Sequence, residues 1–198
     1  MNKFILPLIL IMLILPVVMQ AKIVLNLGVP ISNASGDHAD YLQNSNYKLD
    51  SKLGFMMGVS YWDVLNDNMF IVEPEIRFMQ RGFNYKHNTT KSVNASVGLN
   101  CIDLALHLKF NSNQTGDYKS LTFLPYLGIA PSFVLSVSND DAIYYKSKII
   151  FLIGGIDILI MEKYVIGAEY NHAQISTLKS IDNFYNHSMM IKIGYSLF

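Results

Sequence analysis

The chain is poor in charge and nearly without cysteine. Charged residues make up 15% of its 198 positions, against about 25% in an ordinary soluble domain. Neither sign is in excess, with 15 Lys plus Arg against 15 Asp plus Glu. That balance does not suggest a basic groove for nucleic acid. The single cysteine, Cys101, excludes an internal disulfide, and its neighbours offer no convincing base to make it a nucleophile. No internal repeat, low-complexity segment or Pro/Gly-rich linker divides the chain, and no Gly-rich phosphate loop is present. Beyond residue 21 no apolar run suits a membrane-spanning helix. The best candidate, Ile149 to Met161, is too short, contains Gly154-Gly155 and is interrupted by Asp157. The length suits one domain.

What the chain does have is apolar residues, 51% of the total, in two distinct arrangements. The first is an N-terminal block. Lys3 provides a short positive region, Phe4 to Met19 is unbroken apolar sequence, and Gln20-Ala21 ends on a small residue. That is the form of a cleavable secretory signal peptide over 1–21, which leaves 22–198 as the mature domain. No cysteine near the cleavage point marks a lipoprotein.

The second arrangement is alternation. Over Leu99 to Phe110, Ile102, Leu104, Leu106, Leu108 and Phe110 share one strand face, and Cys101, Asp103, Ala105, His107 and Lys109 share the other. The same period-2 pattern recurs around Ile23–Ile31, Phe55–Tyr61, Phe70–Phe78, Leu127–Leu135, Ile150–Ile160, Tyr164–Ser176 and Met189–Leu197. These are eight candidate strands, mostly longer than the 5–6 residues, roughly, of a globular strand and closer to the 9–11 or so of a membrane strand.

The connections alternate in length. Leu65-Asn66-Asp67-Asn68 and Met161-Glu162-Lys163 are short turns and Asn111–Ser120 is longer but polar, whereas Ser32–Lys52, Asn84–Asn94, Ser136–Lys146 and Thr177–Tyr185 read as long loops. Short turns on one side and long loops on the other is the outer-membrane pattern. The expected fold is therefore all-β, an eight-stranded antiparallel up-and-down transmembrane barrel in a bacterial outer membrane. An even strand count puts both termini in the periplasm.

Several segments resemble the PorT-like family of small outer-membrane β-barrels abundant in Bacteroidota. They are Lys52-Leu53-Gly54-Phe55 with Gly58, Phe70 to Ile76 with Pro74-Glu75, Gln80-Arg81-Gly82, Ile102 to Phe110, Pro125-Tyr126-Leu127-Gly128, and Gly194-Tyr195. Their order and spacing cover nearly all the mature chain. Ala105 departs from a family proline, and the C-terminus carries one extra residue. The resemblance implies a barrel inserted by the cellular insertion machinery, with Phe198 as the terminal aromatic of the insertion signal. One branch of the family is linked to protein secretion.

In such a barrel the polar faces point into a lumen that eight strands leave just wide enough for side chains. The inward set holds Glu73, Glu75, Asp103, Asp157 and Glu169 with Arg77, Arg81, Lys109, Lys192 and His107. This matched set reads as a structural plug, with Glu169 and Lys192 expected to pair. Phe70, Tyr61, Tyr164 and Phe110 fall near the periplasmic strand ends as an aromatic girdle.

The functional expectation is a non-enzymatic outer-membrane barrel with a filled lumen. It would display extracellular loops in interaction, structural or secretion-accessory roles. Partners would be outer-membrane lipid and, through the loops, a protein; the chain would be a monomer. No catalytic residue, cofactor or metal ligand is assigned. A small porin remains an alternative, as does a membrane-embedded lipid-modifying or proteolytic enzyme, for which His172 with Ser176 is the nearest base–nucleophile pair. His38, His87 and His187 lack metal-ligand spacing, and Asp37, Asp40 and Asp140-Asp141 read as solvated loop acids.

Overall fold

The computed structural model describes residues 22–44, 47–65, 69–87, 94–112, 121–138, 145–179 and 183–197. The expected signal peptide over 1–21 and Phe198 lie outside these residues. Among them are nine strands and one helix: β1 (Lys22–Ser35), α1 (Asp37–Asn44), β2 (Tyr47–Leu53), β3 (Met56–Leu65), β4 (Phe70–His87), β5 (Asn94–Phe110), β6 (Leu121–Val137), β7 (Lys148–Ile160), β8 (Tyr164–Ala173) and β9 (Tyr185–Ser196).

All pairings are antiparallel. From β3 to β9 each strand pairs with the next, and β9 closes on β1 from Val24↔Ser196 to Ser35↔Tyr185. Closure leaves no open edge, which is how a sheet satisfies every backbone group without water.

The nine strands make eight staves, because β2 and β3 share one. Both lie between β1 and β4, separated by Gly54-Phe55. The break stays bonded on both sides: Gly54 N–H donates to Pro30 C=O (2.8 Å) and Gln80 N–H to Phe55 C=O (2.8 Å). A Cβ on Gly54 would collide with the Gln80 carbonyl, so glycine is required there. A second glycine, Gly82, sits at φ +151°, where β4 passes from pairing with β3 to pairing with β2.

Three of the four segments read as long loops hold more regular structure than their sequence suggests. Ser32–Lys52 contains α1 and most of β2. Asn84–Asn94 is cut short, because β4 runs to His87 and β5 begins at Asn94. Ser136–Lys146 loses its first two residues to β6. These extensions stand above the apolar belt, where the outward strand face meets polar surroundings and the inward face packs into an apolar cluster. At the opposite end, β7 and β8 are joined by a tight turn. Met161 and Glu162 take φ of 49° and 60°, and Lys163 N–H donates to Ile160 C=O (3.1 Å). That is the type I′ geometry that matches strand twist. Both ends of the wall lie here, since Ser196 N–H donates to Lys163 C=O (2.7 Å) and Leu197 N–H to Ile23 C=O (2.9 Å).

Alternation sorts the side chains to the two sides of the wall. Leu106 and Leu108 are 49% and 52% exposed, whereas Asp103, His107 and Lys109 between and beside them are fully buried. The outward face is an apolar belt. Its lower boundary carries the aromatic pairs Phe70–Phe110 (6.0 Å between centroids) and Tyr164–Tyr195 (5.5 Å). Its upper boundary includes a polar row in which Gln80 donates to Asn100 (3.1 Å) and Asn100 to Ser136 (2.9 Å).

Candidate functional site: a charged layer in the lumen

The lumen is filled in three storeys. At the short-turn end, Val24, Trp62, Ile71, Leu124, Leu159 and Val165 form a fully buried apolar plug. At the other end an apolar cap joins residues of β1, β2, β4 and β5 to Ala39 of α1, Tyr145, Leu178 and Phe184. The cap is stitched by Thr177, which donates through its N–H (2.8 Å) and its hydroxyl (3.0 Å) to the Phe184 carbonyl. Asn183 in turn donates to Asp37 of α1 (2.8 Å).

Between plug and cap lie all ten charged residues singled out from the sequence. None of them is more than 3% exposed. Arg77 on β4 is the hub. Its Nε donates to Asp103 Oδ2 (3.2 Å), Nη1 to Glu169 Oε1 (2.7 Å) and Glu75 Oε2 (3.3 Å), and Nη2 to Asn171 Oδ1 (2.9 Å). Glu169 and Asn171 are on β8, across the barrel from β4. The side chain therefore bridges the lumen from wall to wall. Arg81 grips Asp103 with both terminal nitrogens (3.0 and 2.6 Å) and lays its guanidinium 4.1 Å from the Phe151 ring centre.

A second group is built around Lys109. Its Nζ lies 2.7 Å from Glu73 Oε2 and also meets Asp157 Oδ2. His107 Nδ1 is 3.0 Å from the same Glu73 oxygen. Lys192 lies 3.2 Å from Asp157 Oδ1 and 3.7 Å from Glu169 Oε2. The Glu169–Lys192 contact is a diagonal one, since their register partners are Met190 and Gly167. Five acidic side chains thus face two arginines, two lysines and one imidazole. Removing charges from water costs several kcal/mol each, roughly, unless partners and hydrogen bonds replace hydration, and here every charged residue has at least one opposite charge in contact.

Neutral partners complete the layer. Tyr126 donates its hydroxyl to Glu169 Oε2 (2.9 Å), Asn26 donates to Glu75 Oε1 (2.8 Å), and Trp62 Nε1–H donates to Glu73 Oε1 (2.6 Å). Lys109 Nζ lies 4.1 Å from the Trp62 ring centre, so one indole joins plug to charged layer. Tyr126, Asn26 and Asn171 share the inward alternation, but no charge marked them as members. Trp62 lies one step beyond the Phe55–Tyr61 stretch, and extending that alternation through Ser60 finds it.

The remaining candidates are placed as follows. Ser176 is buried in the cap, its hydroxyl donating to the Phe184 carbonyl (3.3 Å). His172 faces outward, stacked 6.3 Å from Tyr170. Cys101 is fully buried, opposite Met79 in the register. Asp140-Asp141 lie outside the described residues. No group of three or more His, Cys, Asp or Glu fit to hold a metal occurs among the described residues.

No known protein-family profile matches the chain, and no curated protein matches its sequence. Solved structures do match its shape. The attachment invasion locus protein Ail of Yersinia pestis aligns with a TM-score of 0.50 at 17% identity, over 90% of this chain and 100% of that one. The outer membrane protein OprG of Pseudomonas aeruginosa aligns with a TM-score of 0.56 at 14% identity, over 89% and 95%. At such identities the likeness shows the fold alone: this is the fold of small outer-membrane β-barrels.

Proposed function

We propose that the chain is an integral bacterial outer-membrane barrel that passes no solute and does no chemistry, and that it serves to hold its cap and loops at the cell surface. The observation that carries this reading is the reach of Arg77 across the lumen to Glu169 and Asn171 (2.7 and 2.9 Å), between apolar storeys above and below. A porin needs an open, hydrated path, and a membrane enzyme needs a reactive group at an accessible rim.

The outer surface supports the membrane part of the reading. The belt between the aromatic pairs and the polar row suits hydrocarbon, with aromatic rings at a headgroup boundary. At about 3.4 Å per residue, β4 runs about 60 Å, whereas a tilted membrane strand needs about 9–11 residues. Its surplus carries the cap into water. On this reading both termini are periplasmic, the barrel is monomeric, its partners are lipid, the insertion machinery and a protein bound at the cap side, and a PorT-like secretion-accessory role is one form of it.

Fractionation with heat-modifiable gel mobility tests the proposal. The protein is expected in the outer-membrane fraction, with unboiled and boiled samples migrating differently. Recovery in the soluble fraction with identical mobilities would overturn it.

A further inference from the structure

The cap side of the lumen holds a group of neutral polar side chains that the charged layer leaves unsatisfied. Four buried polar atoms on the β1–β9 seam have no hydrogen-bond partner among the described residues: Ser32 Oγ, Ser188 Oγ, and both Nδ2 and Oδ1 of Asn186. All three residues are fully buried. They are neighbours by register, since Ser32 pairs with Ser188 and Asn186 pairs with Ala34, two positions along β1 from Ser32. Ser188 also pairs with Asn171 on β8, whose amide donates to Glu169 and accepts from Arg77. Met190, packed with Met56 and Met79, is the next inward residue toward the charged layer. The capping cluster with Ala34, Ala39 and Phe184 lies on the other side.

We propose that Ser32, Ser188 and Asn186 line a binding site for a small cluster of water molecules, continuous with Asn171 at the top of the charged layer. Buried polar groups are almost always hydrogen-bonded, and internal water is the usual partner where protein supplies none. The chemistry of the set selects the ligand. Asn186 presents an unpaired donor and an unpaired acceptor side by side, and each serine hydroxyl can do both. An anion is repelled by Asn186 Oδ1, and a cation finds no carboxylate free of its own partners. A molecule that donates and accepts in turn satisfies all four atoms. The six plug residues carry a single polar side-chain atom, Trp62 Nε1, and it is bonded to Glu73. The charged layer is thus hydrated from the cap side.

Radiolytic hydroxyl-radical footprinting tests this, because radicals formed from bound water oxidise adjacent side chains even when these are buried. Met190, beside Ser188, and Trp62, in the plug, are both intrinsically reactive. In the folded wild-type protein Met190 is expected to be oxidised several times faster than Trp62. The variant Ser32→Ala/Ser188→Ala/Asn186→Leu is expected to lower the Met190 rate to that of Trp62 while keeping heat-modifiable mobility. Should that variant not fold, Ser188→Ala alone is expected to lower the Met190 rate part of the way. Equal rates for Met190 and Trp62 in the wild type, or a Met190 rate unchanged in a folded variant, would show the serines turned onto strand carbonyls in a dry pocket and overturn the proposal. The footprint is read on folded protein, so its failure leaves the membrane reading untouched.

Discussion

The charged layer and the apolar plug beneath it fill the same lumen, but they are held together by different means. The plug is six apolar side chains whose stability comes from burial, which is graded and non-directional. The charged layer is held by pairs, each of which is stabilising only while both members are present. The comparison teaches where this barrel is brittle. A plug residue can be trimmed at the cost of a cavity, whereas a charge removed from the layer above leaves its partners buried and uncompensated.

The largest expected effect is at the hub. Arg77→Met leaves Glu75, Asp103 and Glu169 short of a shared cation, and is expected to cost about 3–5 kcal/mol of unfolding free energy. Urea unfolding from lipid vesicles measures it, followed by the fluorescence of Trp62, the only tryptophan. Leu124→Ala in the plug is expected to cost about 3 kcal/mol through its cavity, by the same measurement. A loss at Arg77 no larger than that at Leu124 would erase the distinction between the two layers.

A double-mutant cycle sharpens it. Glu73→Gln and Lys109→Met touch one 2.7 Å contact. Together they are expected to cost less than the sum of the singles, by about 1–3 kcal/mol; strict additivity would mean that the layer is wet and screened. Above the belt the rule reverses. Lys48 lies 3.0 Å from Asp50 with its side chain 66% exposed, and Lys48→Ala is expected to change stability by about 0.5 kcal/mol or less.

The same contrast explains what could be read from sequence. Where a strand divides apolar surroundings from a polar interior, each position has one acceptable chemistry, and the alternation through Ile102–Phe110 is unmistakable. It located the eight staves and the ten charged residues. Beyond the belt that demand ends. Residues 80–87 and 47–52 carry polar side chains toward water on the outside, so β2 and the top of β4 lack the signal and resemble loops. The cap was hidden for another reason: Ala39, Tyr145, and Leu178 with Phe184 come from three separate connections and meet only in three dimensions. Trp62 was missed because an indole looks like core or lipid anchor, and only the fold shows its N–H on Glu73.

Single-channel conductance of the refolded protein in planar bilayers, with insertion confirmed by heat-modifiable mobility, tests the sealed lumen most directly. The account predicts a silent bilayer for the wild type. Steady conductance steps from correctly inserted protein would mean that the path between β4 and β8 is open, and would contradict the bridge made by Arg77.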